Sequence, residues 1–388
     1  MLDRKENKIR MIVGYIEDRY PEKRTIINKI NNVKYKRVSR LNNKYNYLKL
    51  VKKSIYKQSI EKYKFKFNPL LSSNIDLYHF FNHINYGNSN YITTFETYLP
   101  RIKKQEMEQD GIEKSVEVLS KPNCKYIIAM SECTKNIQLD LIKNCSDYIK
   151  DSIEKKIKVI HPPQEIIFED YNVKKKYLDN ELTFIFVGND FYRKGGYEIT
   201  KVFHSLTKEY KNIKLIIIGD IKNTHDYTKK VSEDEVNEIL QIVSVNDRIK
   251  YYNNLSNLEV IKLMKKSHVG MLTTWADTYG YSVLEMQASG CPVISTDVRA
   301  LPEINNNNCG WIINVPKNSL GEADYFSEKS RNNIRNILFQ EIREIMIEII
   351  KNPNIIEKKG TEALNRIIRN HNLKDYENML YELYKKSV

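Results

Sequence analysis

No stretch of this 388-residue sequence is apolar for long enough to cross a bilayer, which takes about 20 consecutive apolar residues. The run Met11-Ile12-Val13 near the N-terminus is too short for a secretory leader. Cysteine is sparse. Cys124, Cys133, Cys145, Cys291 and Cys309 are odd in number, scattered, and without the paired spacing of a metal site. They are expected to be reduced, mostly buried thiols of a cytoplasmic protein, and no metal is expected. No solenoid repeat and no Gly-rich dinucleotide fingerprint occurs. These absences point away from integral membrane proteins, disulfide-stapled secreted domains and zinc modules.

Acidic residues are nearly missing from one region. Between Lys23 and Lys66 there are fifteen Lys or Arg and a single acid, Glu61. The rest of the chain is neutral, so the whole net charge of +14 resides there. Tyr35, Tyr45, Tyr47, Tyr56, Tyr63 and Phe65 are interleaved with it, and Leu48, Val51 and Ile55 give a loose helical stripe. Such a segment suits an anionic membrane surface, where each nearby basic residue contributes about 1 kcal/mol before screening. A solvated face is the alternative, and nucleic acid the least favoured partner.

The length allows two domains, and strand-like runs alternate with helix-like ones in both halves, which predicts an α/β class with parallel sheets. Ile9 to Ile16 reads as the first strand. Val33 to Val38 and Tyr63 to Phe67 alternate apolar and basic residues, as strands near a sheet edge do. Asp76 to Asn82, Tyr91 to Glu96 and Lys125 to Met130 read as further strands, with Ser131 capping a helix that reaches Ile149. Two prolines, Pro162 and Pro163, close this half. Residues 1–164 are therefore expected as an N-terminal domain, 165–181 as a polar linker, 182–370 as a second domain and 371–388 as a terminal helix. The second domain repeats strand-helix units at Phe184, Leu215, Ile249, Val269 and Val293.

Two segments of that domain carry chemistry. Leu182 to Val187 is followed by Gly188-Asn189-Asp190-Phe191-Tyr192-Arg193-Lys194-Gly195-Gly196. A basic pair flanked by glycines is what a diphosphate needs: fixed cations, and a backbone that can come close. The second segment is Trp275-Ala276-Asp277-Thr278-Tyr279-Gly280-Tyr281-Ser282-Val283-Leu284-Glu285. Glu285 lies between Leu284 and Met286, where a carboxylate is costly unless it faces a ligand or finds a partner. The helix is expected to begin near Gly280, presenting free N–H groups to a phosphate, and to end at Gly290 before Pro292.

The acid-x7-acid spacing of Asp277 and Glu285, with the basic pair upstream, resembles retaining GT-B-fold glycosyltransferases of family 4 (glycosyl transferases group 1). The resemblance implies two Rossmann-like domains facing a central cleft, with the terminal helix crossing back to the first. It also implies a nucleotide-diphosphate sugar donor, UDP- or GDP-linked, and no metal. The acceptor would be a glycan, a lipid-linked molecule or a protein. Gly188, Asn189, Arg193 and Lys194 would bind the diphosphate, Asn189 standing where the family often has arginine. Tyr279, Gly280 and Tyr281 would contribute backbone amides, Glu285 would hold the ribose, and Asp277, in place of the usual glutamate, would position the transferred sugar. In the first domain, Gly14, His79 and Glu96 are acceptor or cleft candidates, and Glu96, where many relatives carry a histidine close to the reacting sugar, is a catalytic candidate as well. Rival readings are a GT-B sugar phosphorylase, a nucleotide-sugar epimerase, or a non-catalytic sugar-binding protein. The expected location is the cytoplasm, peripheral to the membrane.

Overall fold

The computed structural model describes residues 11–49, 64–71, 74–101 and 109–388. Val51, Ile55, Tyr56, Glu61 and Tyr63 of the basic segment lie outside the described residues. The chain divides into two compact units, residues 1–163 with 373–388, and residues 164–372.

The first unit is built on β1 (Met11–Tyr15), β2 (Val33–Arg37), β3 (Lys66–Phe67), β4 (Leu77–Phe81), β5 (Ile84–Asn85), β6 (Tyr91–Phe95), β7 (Cys124–Ala129) and β8 (Ile157–Val159). Six of these form a parallel sheet in the order β2-β1-β4-β6-β7-β8, and β3 pairs with β5 in a small parallel ribbon. β2, with Lys34 and Lys36 exposed, takes the edge that its alternation predicts, whereas β4 and β6 are buried along their whole length. The helix expected to run from Ser131 to Ile149 is two helices, Glu132–Ile142 and Asp147–Lys156. The turn between them drops Cys145 into the core, and Ser146 restarts the chain from an extended conformation.

The terminal helix Leu373–Lys385 belongs to this unit. Its residues Tyr376, Leu380 and Tyr384 recur every fourth position on one face and join Val13, Leu77 and Ile128 in one cluster. Burying each such side chain contributes about 1.5–3 kcal/mol. The Tyr376 hydroxyl also donates to the Thr25 carbonyl at 2.6 Å.

The second unit carries β9 (Leu182–Val187), β10 (Ile213–Ile218), β11 (Ile249–Tyr252), β12 (Val269–Leu272), β13 (Val293–Thr296) and β14 (Gly310–Ile313). All are parallel, in the order β11-β10-β9-β12-β13-β14. β14 lies outside the units read from the sequence, because Gly310-Trp311-Ile312-Ile313 is short and follows an asparagine-rich turn.

Residues 165–181, read as a linker, are an integral part of this unit. Asp170 caps the short helix Tyr171–Lys175, and Phe168 and Tyr171 cluster with Leu364. Lys174 is fully buried, and its ammonium donates to the carbonyls of Met264 (2.9 Å), Lys265 (2.9 Å) and Ser267 (2.6 Å). These carbonyls lie where the helix Asn257–Lys266 ends, so the lysine adds a cap to the Ser267 N–H that already reaches the Met264 carbonyl. The two units are Rossmann-like, as the resemblance implies, and their sheets are parallel, as the alternation of elements predicts.

Candidate functional site

In the second unit the strand order reverses between β9 and β12. Open parallel sheets bind ligands in the crevice outside the carboxyl ends of strands at such a point. The two motif segments leave the sheet here, one after β9 and the other after β12.

Contacts between the segments are dense. Trp275 N–H donates to the Arg193 carbonyl at 2.8 Å, and the Arg193 guanidinium returns a bond to the Ala276 carbonyl at 2.5 Å. Arg193 also pairs with Asp190 and lies 5.2 Å from the Tyr227 ring centroid. Lys194 Nζ meets Asp277 Oδ2 at 2.7 Å, and Tyr279 N–H donates to Asp277 Oδ1 at 3.3 Å. Burial pushes the Asp277 carboxyl up. The Lys194 charge and hydrogen bond, the Arg193 charge and the Tyr279 N–H outweigh that and hold it below the usual carboxylate range.

Glycine is required at the joints. At Gly195 the backbone is left-handed (φ +85°), and a Cβ there would strike the Thr273 carbonyl. At Gly188 a Cβ would stand 2.5 Å from the Lys194 side chain, so the absence of one gives the lysine stem its path. Asn189 is exposed at the surface of the same loop.

Gly280, also left-handed (φ +91°), starts the helix Tyr281–Ala288. Glu285 lies within it at 7 % exposure, between the fully buried Leu284 and Met286. Tyr279 is buried against Tyr281, with ring centroids 5.4 Å apart. Buried polar atoms in these segments, Tyr192 Oη, Trp275 Nε1 and Ser282 Oγ, and Thr273 Oγ1 just after β12, have no hydrogen-bond partner among the described residues. In a packed interior such groups are normally satisfied. Beneath the loop, Lys229 pairs with the buried Glu198 at 3.1 Å and sits 4.0 Å over the Trp275 ring.

Tyr227 and Arg299 were missed from the sequence. Both share electrostatic contact with the Arg193 and Asp277 neighbourhood through Tyr227. Arg299 follows β13 as Arg193 follows β9, which was the available signal. It is held by Glu322 at 3.0 Å.

The structure does not bring the first-domain candidates into one open site. His79 is wholly buried: Nδ1 bonds the Tyr384 hydroxyl at 2.7 Å and Nε2 the Thr94 hydroxyl at 2.8 Å. Burial pushes its pKa down to about 3, so it is a neutral packing residue and not a ligand contact. Gly14 is buried within β1, where a Cβ would lie 2.8 Å from Ile75 and 2.9 Å from Tyr78. Glu96 does stand beyond the end of β6, partly exposed. It accepts from Arg101 at 3.0 Å and from Asn82 at 3.2 Å. Among the described residues no group of His, Cys, Asp or Glu is placed to hold a metal ion, and no helix is long and apolar enough to cross a membrane.

Two parallel Rossmann-like units, with the two motif loops at the switch point of the second, define a doubly wound α/β architecture. Residues 168–336, within the second unit, match the family model "Glycosyl transferases group 1". The fold is similar to a glycosyltransferase from Rickettsia africae ESF-5 (18% identity, 97% of this chain and 89% of that one, TM-score 0.58). It is also similar to Anabaena Alr3699/HepE in complex with UDP (12% identity, 97% of this chain and 100% of that one, TM-score 0.59). These structural neighbours have the GT-B fold. Over 129 residues the chain is 24% identical to one subunit of the human phosphatidylinositol N-acetylglucosaminyltransferase. That match spans 33% of this chain and a quarter of the human protein's length.

Proposed function

We propose that the chain transfers a sugar from a nucleoside-diphosphate sugar, UDP-linked in the first instance, to a glycan, lipid-linked or protein acceptor with retention of configuration. One observation carries the reading: the Lys194–Asp277 ion pair closes two loops around the carboxyl ends of β9 and β12. Complexes of Anabaena Alr3699/HepE with UDP and with UDP-glucose support a UDP-linked donor.

Arg193 and Lys194 would meet the diphosphate and stabilise the negative charge that grows on it as the sugar departs. Transfer with retention then follows from attack on the face the leaving group vacates, with the departing phosphate taking the acceptor's proton. N–H groups at Tyr281 and Ser282, where the helix begins, would add to the phosphate cradle. Glu285 would accept from the ribose hydroxyls. Asp277, expected to position the sugar, spends its carboxylate on Lys194 and on the Tyr279 N–H. We therefore assign it first to the orientation of Lys194.

Incubation with UDP-glucose and then other UDP- and GDP-sugars tests the reading, with release of nucleoside diphosphate as the signal. Lys194→Ala should lose at least tenfold, because a charged contact is worth about 1.5–3 kcal/mol. Phosphate-dependent release or epimerised donor would instead favour a phosphorylase or epimerase. Donor binding without turnover would favour a sugar-binding protein.

We also propose that the segment Lys23 to Lys66 rests on an anionic membrane surface. Lys34, Lys36, Arg37, Arg40 and Lys44 are exposed. Four to six residues within about one Debye length, roughly 8 Å, give several kcal/mol. Co-sedimentation with anionic vesicles should fall steeply with salt and weaken in the triple variant Lys52→Gln, Lys53→Gln, Lys57→Gln. Absence of binding at low salt would return the segment to a solvated face.

A further inference from the structure

The first unit has a switch point of its own that the donor site does not use: its strand order reverses between β1 and β4. Beyond the carboxyl ends of β1, β2 and β4 lies a cavity of about 570 Å³. Arg19 reaches it from the loop after β1, Arg40 from the loop after β2 and His83 from the loop after β4, and Lys49, Lys64 and Lys66 also line it. Its position is thus where an open parallel sheet offers a ligand site.

The charges in the wall are unbalanced. Glu17 is its one carboxylate, and Arg19 already pairs with it. Arg40, Lys49 and Lys64 have no carboxylate partner among the described residues. Burial pushes the Lys49 pKa down; Glu17 opposes this, and the charges of Lys64 and Arg40 add to it. Cations gathered this way repel one another until an anion joins them.

The floor is aromatic and strained. Phe65 holds a left-handed backbone (φ +66°), a genuine outlier for so bulky a residue. Strain of this kind concentrates at ligand sites. It sets the Phe65 ring edge-on to His83 at 5.1 Å and brings Lys64 Nζ to 5.2 Å from the ring centroid.

We propose that this cavity binds a phosphate ester, with Arg40, Lys49 and Lys64 on its oxygens and Phe65 against the sugar or alcohol that carries it. Three cations placed on one group, with Lys66 also in the wall, suit a dianionic, tetrahedral group better than a single carboxylate. Identifying the ester as the acceptor rests on the glycosyltransferase reading; the anion site itself does not.

Calorimetric titration of the full chain with glucose 6-phosphate tests the site, with vesicles of phosphatidylglycerol as a second arm. The soluble ester should bind, weaken at least tenfold in Arg40→Gln/Lys49→Gln, and be unaffected by Lys194→Ala. UDP should show the opposite pattern. Vesicle binding without soluble-ester binding would support the same site, and assign the phosphate to a lipid headgroup, if Arg40→Gln/Lys49→Gln removes it and Lys52→Gln/Lys53→Gln/Lys57→Gln does not; equal loss in both variants would make it diffuse surface attraction and overturn the site. Ester affinity unchanged in the double variant, or lost only in Lys194→Ala, overturns the proposal, as does failure of both probes. If the double variant unfolds, Lys64→Gln at an exposed position reads the same contact. Failure of UDP to bind would count against the donor site and leave this test intact.

Discussion

Asp277→Asn removes one negative charge and almost no volume from the contact that joins the two motif segments. Lys194 and Asp277 are 2.7 Å apart with side chains 19 % and 11 % exposed, so solvent screens the pair only in part. An exposed pair would contribute about 0–1 kcal/mol, whereas breaking a buried one costs about 3–5 kcal/mol. A charged hydrogen bond in between is worth about 1.5–3 kcal/mol. For a unit of this size, a loss of about 2 kcal/mol lowers the melting temperature by about 4–8 °C. The variant leaves Lys194 beside Arg193 with less negative charge to balance it, and a bound diphosphate restores that charge. UDP affinity should therefore stay level or rise, saturating UDP should narrow the melting gap, and transfer should fall at least tenfold because Lys194 is no longer aimed. Calorimetric titration, melting with and without UDP, and initial rates give the three readings. A parallel loss of UDP affinity and turnover would show that Asp277 touches the donor directly. No change in any reading would show the pair to be solvated and idle. Acid adds a check. The folded-state carboxyl is held below its unfolded value, so its stabilisation is present above about pH 4 and is lost as pH falls below that. Asp277→Asn should lack this limb.

Glu285→Gln, which keeps the volume of a residue buried to 7 % exposure, should fold normally and lose at least tenfold in transfer; wild-type rates would remove it from the ribose site. Gly195→Ala forces a Cβ into the Thr273 carbonyl at φ +85° and should cost about 1–3 kcal/mol as well as nucleotide binding, whereas a melting point equal to wild type would refute the packing argument. His79 binds its proton in the native state only near pH 3, while the unfolded chain does so near its ordinary value of about 6.5. Its contribution is thus complete above pH 6.5 and declines by up to about 1.4 kcal/mol per pH unit as pH falls from there. The slope difference between wild type and His79→Asn in urea melts at pH 7 and pH 5 measures it. Tyr384→Phe leaves His79 Nδ1 buried without its partner and should cost about 1–3 kcal/mol, read as faster proteolysis of the terminal helix.

Several features of this chain are decided by neighbours a few residues apart, and those were legible in the sequence. Apolar runs such as Leu182 to Val187 became central strands, and the Lys-alternating Val33 to Arg37 became an edge, because burial of one or both faces follows directly from side-chain period. Gly280 and Gly290 bracketed a helix because only glycine enters the left-handed region at little cost. The basic pair and the acid-x7-acid spacing likewise announced themselves locally.

What the tertiary structure alone decided are contacts between residues far apart in the chain. Lys194 and Asp277 are separated by 83 positions and meet because β9 and β12 are neighbours in the sheet. Lys174 looked like one more charge in a polar linker until three carbonyls some ninety residues away enclosed its ammonium. His79 resembled a strand-end ligand until the terminal helix laid Tyr384 across it, 305 residues on. Side-chain period and turn chemistry act over one or two turns of chain, whereas the partner of a buried charge is set by strand order, which no local pattern specifies.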